Sequence, residues 1–213
     1  MTGHLRVLAP FGFGRAYVAP LCGRFAQANP EVGISLDLTD TLGGHPSRSW
    51  DIAIHVGPLS DSSLIRVHLA SHRRILAAAP AYVERAGTPQ NPDQLADHAC
   101  LVIRENAEDS GVWRFRSADG EAAVRVPSTL SSNDGEVVRG WLLDGLGIAL
   151  RSEWSIAHDL ATGRLVELMP AWRPPDVAIV ALIGPANART ARVRAFLELL
   201  ANMLQRRPWL DNP

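Results

Sequence analysis

Residues 6–20, RVLAPFGFGRAYVAP, run from a short apolar stretch through Pro10 into Gly12-Phe13-Gly14 and on into an amphipathic segment. A glycine pair at a strand-to-helix turn opens dinucleotide-binding folds, where G-x-G-x-x-G is followed by an acidic residue about 20 positions on. Here Tyr17 takes the third position, and Asp37 or Asp40 would have to supply the acid. A tyrosyl ring obstructs the close approach of helix to strand that the third glycine permits. Two readings survive: a plain tight turn, or a helix start whose outward N–H groups and dipole attract an anion.

Working outward, the pattern around this stretch is that of a parallel α/β sheet. HLRVLA (4–9) reads as a strand, and Val18, Leu21, Cys22 and Phe25 mark a helix over 12–29 that Asn29-Pro30 stops. GISLDLTD (33–40) and DIAIHV (51–56) read as further strands. Two extended runs follow at 64–71 and 73–79, then a helix starting at Pro80 and CLVI at 100–103. A polar β region carries Trp113, Phe115, Val124 and Val126, and a helix opens at Asn133-Asp134 and is capped at Gly145. GIAL (147–150), a helix over 153–162, RLVEL (164–168), DVAIVALIG (176–184) and a long helix from Arg189 to Arg206 complete the chain. Shifts in composition near 77–80 and 170–176 predict two α/β lobes, with the last strand and helix returning to the first.

The 213 residues suffice to bury roughly 70% of the unfolded surface. Basic and acidic residues number 21 and 22, and the arginines are scattered, so the chain offers no electrostatic footprint for nucleic acid. No apolar run approaches the ~18–20 residues of a membrane span, and MTGHLRVLAP has no signal-peptide pattern, so a cytoplasmic chain away from membranes is expected. Cys22 and Cys100 are too few for a disulfide framework. His98-x-Cys100 has no second pair to complete a metal site, and no nucleophile elbow, P-loop or zinc-protease motif occurs. No enzyme, metal or cofactor is therefore expected.

Several stretches together resemble the effector-binding domain of LysR-type transcriptional regulators. GHLRVLAPFGFGR resembles that family's G-x-L-R-V-x-A-P start, and APLCGRFAQANPEVGISLDLTD its second block. DIAIHVGPLSDSSLIRVHLASHRRILAAAPAYVERAGTPQNPDQLADHACL is the most specific match. LSSNDGEVVRGWLLDGLGIALRSEWSIAHDLATGRLVELMP and the closing RVRAFLELL extend the resemblance over almost the whole chain. It implies an α/β fold of two Rossmann-like lobes with a ligand cleft between them, as in type 2 periplasmic binding proteins. Lobe I would comprise 3–77 and 176–207, lobe II 78–175, and the winged helix–turn–helix that should precede Gly3 is absent from the chain.

The resemblance also implies where function lies. The first helix start and the one at Asn133-Asp134 would face the cleft and hold a small-molecule effector, with a carboxylate the favoured chemistry. Pro10, Phe11, Gly12, Thr39 and His55 would line it from lobe I, and Ser132, Asn133 and Asp134 from lobe II, with Ala78 as the floor. His55 stands where the family usually has arginine, removing a fixed cation. A homodimer, and a tetramer for the whole protein, would form through Tyr17, Leu21 and Phe25 against Val138, Trp141 and Leu142. DNA would be bound only through the missing N-terminal domain. A transport solute-binding protein of the same fold is the alternative, and an enzyme on this scaffold a third that the motifs do not support.

Overall fold

The computed structural model describes residues 1–39, 49–57, 64–104, 111–118, 120–185 and 187–210; the expected acid Asp40 lies outside them. The chain divides into two compact units, residues 1–71 with 177–208, and 72–176 with Trp209 and Leu210. Among the described residues, no helix is long and apolar enough to cross a membrane.

The first unit holds a five-stranded sheet of β1 (Gly3–Ala9), β2 (Val32–Leu38), β3 (Ile52–Val56), β4 (Ile65–His72) and, much later in sequence, β12 (Val177–Ile183). Its order is β2-β1-β3-β12-β4, with β1 parallel to both neighbours and β12 antiparallel to β3. β1 is an interior strand, and Leu5, Val7, Leu8 and Ala9 are all buried, as a strand covered on both faces requires. α2 (Ala19–Ala28) packs on α6 (Ala191–Gln205), with the rings of Phe25 and Phe196 edge-on at 5.4 Å.

The helix expected over 12–29 forms in three pieces: α1 (Phe11–Phe13), a π-helical turn Gly14–Val18, and α2. The Gly14 N–H donates to Pro10 O at 2.6 Å, but the Gly14 carbonyl accepts from Ala19, five residues on. Gly14 presses so closely on the strands that a Cβ would strike the Leu38 side chain and stand 3.1 Å from the Ala9 methyl. The glycine pair is therefore a packing device: its second member brings the helix start onto β1 and β2. Gly14→Ala should cost about 1–3 kcal/mol by overpacking. Denaturant unfolding checks this, and wild-type stability in the variant would refute it.

The second unit holds β5 (Arg74–Ala78), β6 (Cys100–Ile103), β9 (Ser128–Ser132), β10 (Ile148–Ser152) and β11 (Val166–Glu167), in the order β11-β5-β10-β6-β9. A separate hairpin joins β7 (Val112–Ser117) to β8 (Gly120–Arg125). Alternation along β5 sorts two cores onto opposite faces of the sheet. Leu76 and Ala78 join Tyr82, Trp113, Phe115 and Ile148, while Ile75, Ala77 and Ala79 join Val138, Leu142, Ile156 and Leu165. Because β5 pairs with β10 and β11, residues 74–78 belong to this unit and not, as the composition shift suggested, largely to the first.

α4 (Gly135–Leu143) and α5 (Glu153–Ala161) cover the second face. They are joined by Asp159, fully buried on α5, whose carboxylate accepts from Arg139 Nε and Nη2 on α4 at 2.6 and 2.8 Å and from Arg164 at 2.5 Å.

Candidate effector-binding edges

In the first unit, the expected ligand residues lie at the carboxyl ends of adjacent parallel strands, where open α/β sheets place their ligands. Pro10, Phe11 and Gly12 follow β1, all half-buried, and Thr39 follows β2 with its N–H donating to Ala9 O at 2.9 Å. His55 lies one residue before the end of β3 and is buried, 5% exposed, opposite Val180 of β12. Tyr17 lies over Phe13 at 5.1 Å, and burial pushes its phenol up to about 12.

In the second unit, Ser132 ends β9 and Asp134 is the N-cap of α4, its carboxylate accepting from Glu136 N–H at 2.9 Å. The Asp134 N–H in turn donates to Ser132 Oγ at 3.1 Å. Asn133, expected to cap the helix, is exposed and stands one residue before the cap. Ala78, expected as a floor, is fully buried within the apolar core around Tyr82 and Ile148, so it offers no surface to a ligand.

A residue missed in the sequence stands beside this helix start. Arg151 on β10 is only 3% exposed, and a Cβ at Gly135 would fall 2.9 Å from both of its terminal nitrogens. Its Nη2 donates to Ser155 Oγ at 3.0 Å, and Ser155 Oγ donates to Ser152 O at 2.9 Å. Glycine at 135 is thus what lets a guanidinium reach the first turn of α4. An arginine directly after three buried strand residues, Ile148–Leu150, was the available signal. A guanidinium is a planar fork of donors whose geometry matches a carboxylate. Among the described residues, no group of three or more His, Cys, Asp and Glu is arranged to hold a metal.

The expected subunit contact needs correction. Leu21, Phe25, Val138 and Leu142 are buried within the chain, at 0–3% exposure, so they are core residues and cannot form a dimer surface. α2 needs a broad apolar stripe because it meets α6 as well as the sheet, and Val138 and Leu142 fill the core shared with Ile156 and Leu165. Tyr17 and Trp141 remain half-buried, and α4 exposes Val137 at 42%.

Residues 1–205 match the LysR substrate binding domain family, and the chain belongs to that family. It is 38% identical over 198 residues to the HTH-type transcriptional regulator DmlR of Escherichia coli K12, covering 93% of this chain and 64% of that protein. It is 33% identical over 205 residues to the transcriptional activator TtdR of the same organism, covering 96% of this chain and 66% of that one. The regulatory domain of CrgA, a LysR-type regulator from Neisseria meningitidis, superposes with a TM-score of 0.84 at 29% identity, covering 96% of this chain and all of that domain. The chain therefore spans 64–66% of the length of these curated relatives. With the family established, the α/β architecture of the two units is that of the type 2 periplasmic-binding-protein fold.

Proposed function

We propose that this chain is the effector-sensing part of a LysR-type transcriptional regulator acting in the cytoplasm. The observation that carries the reading is the family match over residues 1–205, joined to polar groups gathered at the strand ends of each unit. The effector is a small carboxylate, read by Pro10–Gly12 and Thr39 in the first unit and by Ser132–Asp134 with Arg151 in the second. Arg151 supplies the fixed cation that His55 does not. No catalytic role is assigned to these groups; binding shifts the populations of conformers and so biases how the whole protein engages an operator.

DNA is contacted by a part of the whole protein outside the matched region, as the name shared by the relatives suggests. The chain self-associates through the outer face of α4, with Val137 and Trp141 replacing the buried residues first expected, and the whole protein is a tetramer built from two such dimers. Regulators among the relatives favour this reading over a transport solute-binding protein.

Thermal-shift screening against two- to six-carbon mono- and dicarboxylates, followed by calorimetry on the best binder, tests the assignment. Arg151→Gln should weaken that binder by at least about tenfold, since a lost charge-assisted hydrogen bond is worth ~1.5–3 kcal/mol. Asp134→Asn, which keeps a capping oxygen, should leave stability nearly unchanged and strengthen the anion. Equal affinity in wild type and Arg151→Gln would remove the arginine from the site, and no carboxylate binding at all would remove the ligand class.

A further inference from the structure

Arginines scattered along the sequence are gathered by the fold at one place in the second unit. In the β7–β8 hairpin, alternation turns Trp113 and Phe115 into the core, 4% and 1% exposed, and leaves Arg114 and Arg116 exposed on the other face. Directly opposite residues of an antiparallel pair share a face. Arg114 stands opposite Ala123 and Arg116 opposite Glu121, while Arg125 lies farther along the same face, opposite Val112.

A third segment widens this face. Arg173, itself exposed, bridges to Arg116 on the other side of β7, each N–H donating to the other's carbonyl at 2.8 Å. Glu121, Arg116 and Arg173 thus form one row across three segments, and Arg114 stands in the next. Among the described residues, Glu121 is the carboxylate paired on this face. Its Oε1 accepts from Arg116 Nε at 2.9 Å, with the Arg116 and Glu121 side chains 68% and 73% exposed. An ion pair so exposed is weak and readily exchanged for another anion.

What the face lacks defines the partner. Met1, Ile65, Val137, Leu146, Leu199 and Leu210 are the large apolar side chains exposed among the described residues, and none comes from β7, β8 or residues 170–176. Protein partners are gripped through buried aromatic or aliphatic anchors, and here Trp113, Phe115 and Trp172 are already committed to the hairpin's own core. The face offers guanidinium forks instead, about 6.8 Å apart along a strand and about 4.8 Å between strands. Such forks suit a polymer of closely repeated phosphates, held by charge and not by shape. The net charge of −1 on the whole chain does not forbid it, because at about 0.1 M salt exposed charges more than ~10 Å away are largely screened.

We propose that the outer face of the β7–β8 hairpin, through Arg114, Arg116 and Arg173, holds the phosphodiester backbone of nucleic acid without regard to base sequence. Contacts of this kind fix position on a duplex and read no bases. They are independent of the carboxylate site and of any effector.

Fluorescence anisotropy of the full chain with a labelled duplex of mixed sequence tests this. With three phosphate contacts, affinity should fall roughly 20-fold between about 50 and 150 mM salt, a logarithmic slope of about −2.7. Arg114→Gln combined with Arg116→Gln leaves one contact, so binding should weaken and its loss over the same salt range shrink to about threefold. Glu121→Gln, which removes the competing carboxylate, should tighten binding, and it carries the comparison should the double variant fail to fold. Arg194→Gln combined with Arg206→Gln makes the same change in net charge on exposed residues of the first unit, and should leave affinity and slope near wild type. No binding by the wild type at the lower salt, or equal losses in the two double variants, overturns the proposal. Poly-glutamate binding as tightly as the duplex, with the same dependence on Arg114 and Arg116, would assign the face to an acidic protein and overturns it as well.

Discussion

Asp159→Ala is expected to lower the unfolding free energy by about 3–5 kcal/mol, because breaking one side of a buried ion pair strands the partner charge. Asp159 is fully buried and accepts from Arg139 through two nitrogens while also receiving Arg164. The Arg139 side chain is only 25% exposed, so it cannot simply turn out into water when the carboxylate goes. Arg164 is half exposed and regains hydration, so Arg164→Ala should lose no more than ~1 kcal/mol. The asymmetry follows from burial, since all three groups share one set of bonds. Guanidinium unfolding of both variants measures it; a loss below about 1 kcal/mol for Asp159→Ala would mean that the cluster is loosely held.

The second large effect depends on pH. His72 is 2% exposed, with Nε2 at 2.9 Å from Ser152 Oγ and the ring edge-on to Trp154. Loss of hydration, aided by Arg74 and opposed by Glu153, lowers its pKa from 6.5 to about 4. The folded chain therefore keeps the imidazole neutral while the unfolded chain takes up a proton near pH 6.5. Below that pH the unfolded state binds more protons, so the contribution is whole above pH 6.5 and is lost as pH falls towards about 4. The shift corresponds to roughly 3 kcal/mol across that window. Denaturant unfolding from pH 7.5 to 4.5 should show the decline in wild type and a flatter profile in His72→Gln. Identical slopes in the two proteins would show that another group carries the pH dependence.

The strands were legible because alternation and apolar runs are local properties. β1, β3, β6, β10 and β12 fall within a residue or two of the expected runs, at 4–9, 51–56, 100–103, 147–150 and 176–184. Less legible was whatever depends on contacts distant in sequence. The π turn after Gly14 arises where Leu38 and Ala9 press on the helix, which no helical periodicity within 12–29 reveals. The shift of the cap from Asn133 to Asp134 is a one-residue choice between two good capping types, below what sequence resolves at helix ends. The interface residues failed for a related reason: a wide apolar stripe looks the same whether its second side meets a partner or, as for Phe25, another helix of the same chain. Ala78 was assigned to a floor because a small residue near a crossover suggests space; in the sheet it is small because Tyr82 and Ile148 already fill the neighbourhood. Arg151 was overlooked because its significance comes from Gly135, sixteen positions earlier by the sequence numbering.

The interleaving of the sheets also orders events on the ribosome. Residues 72–176 leave the exit tunnel as an uninterrupted block, whereas the first unit must wait for β12, which inserts between β3 and β4. Until residues 177–183 emerge, β3 carries an unpaired apolar edge through Ile52, Ala53 and Ile54. Such an edge is a template for pairing with another chain. The nascent protein thus carries an adhesive, half-built first unit while most of the second is being made, for a time set by about a hundred residues of translation, several seconds or more at ribosomal speed. That interval is when a chaperone has most to offer this chain, and slow codons placed across 72–176 would lengthen it.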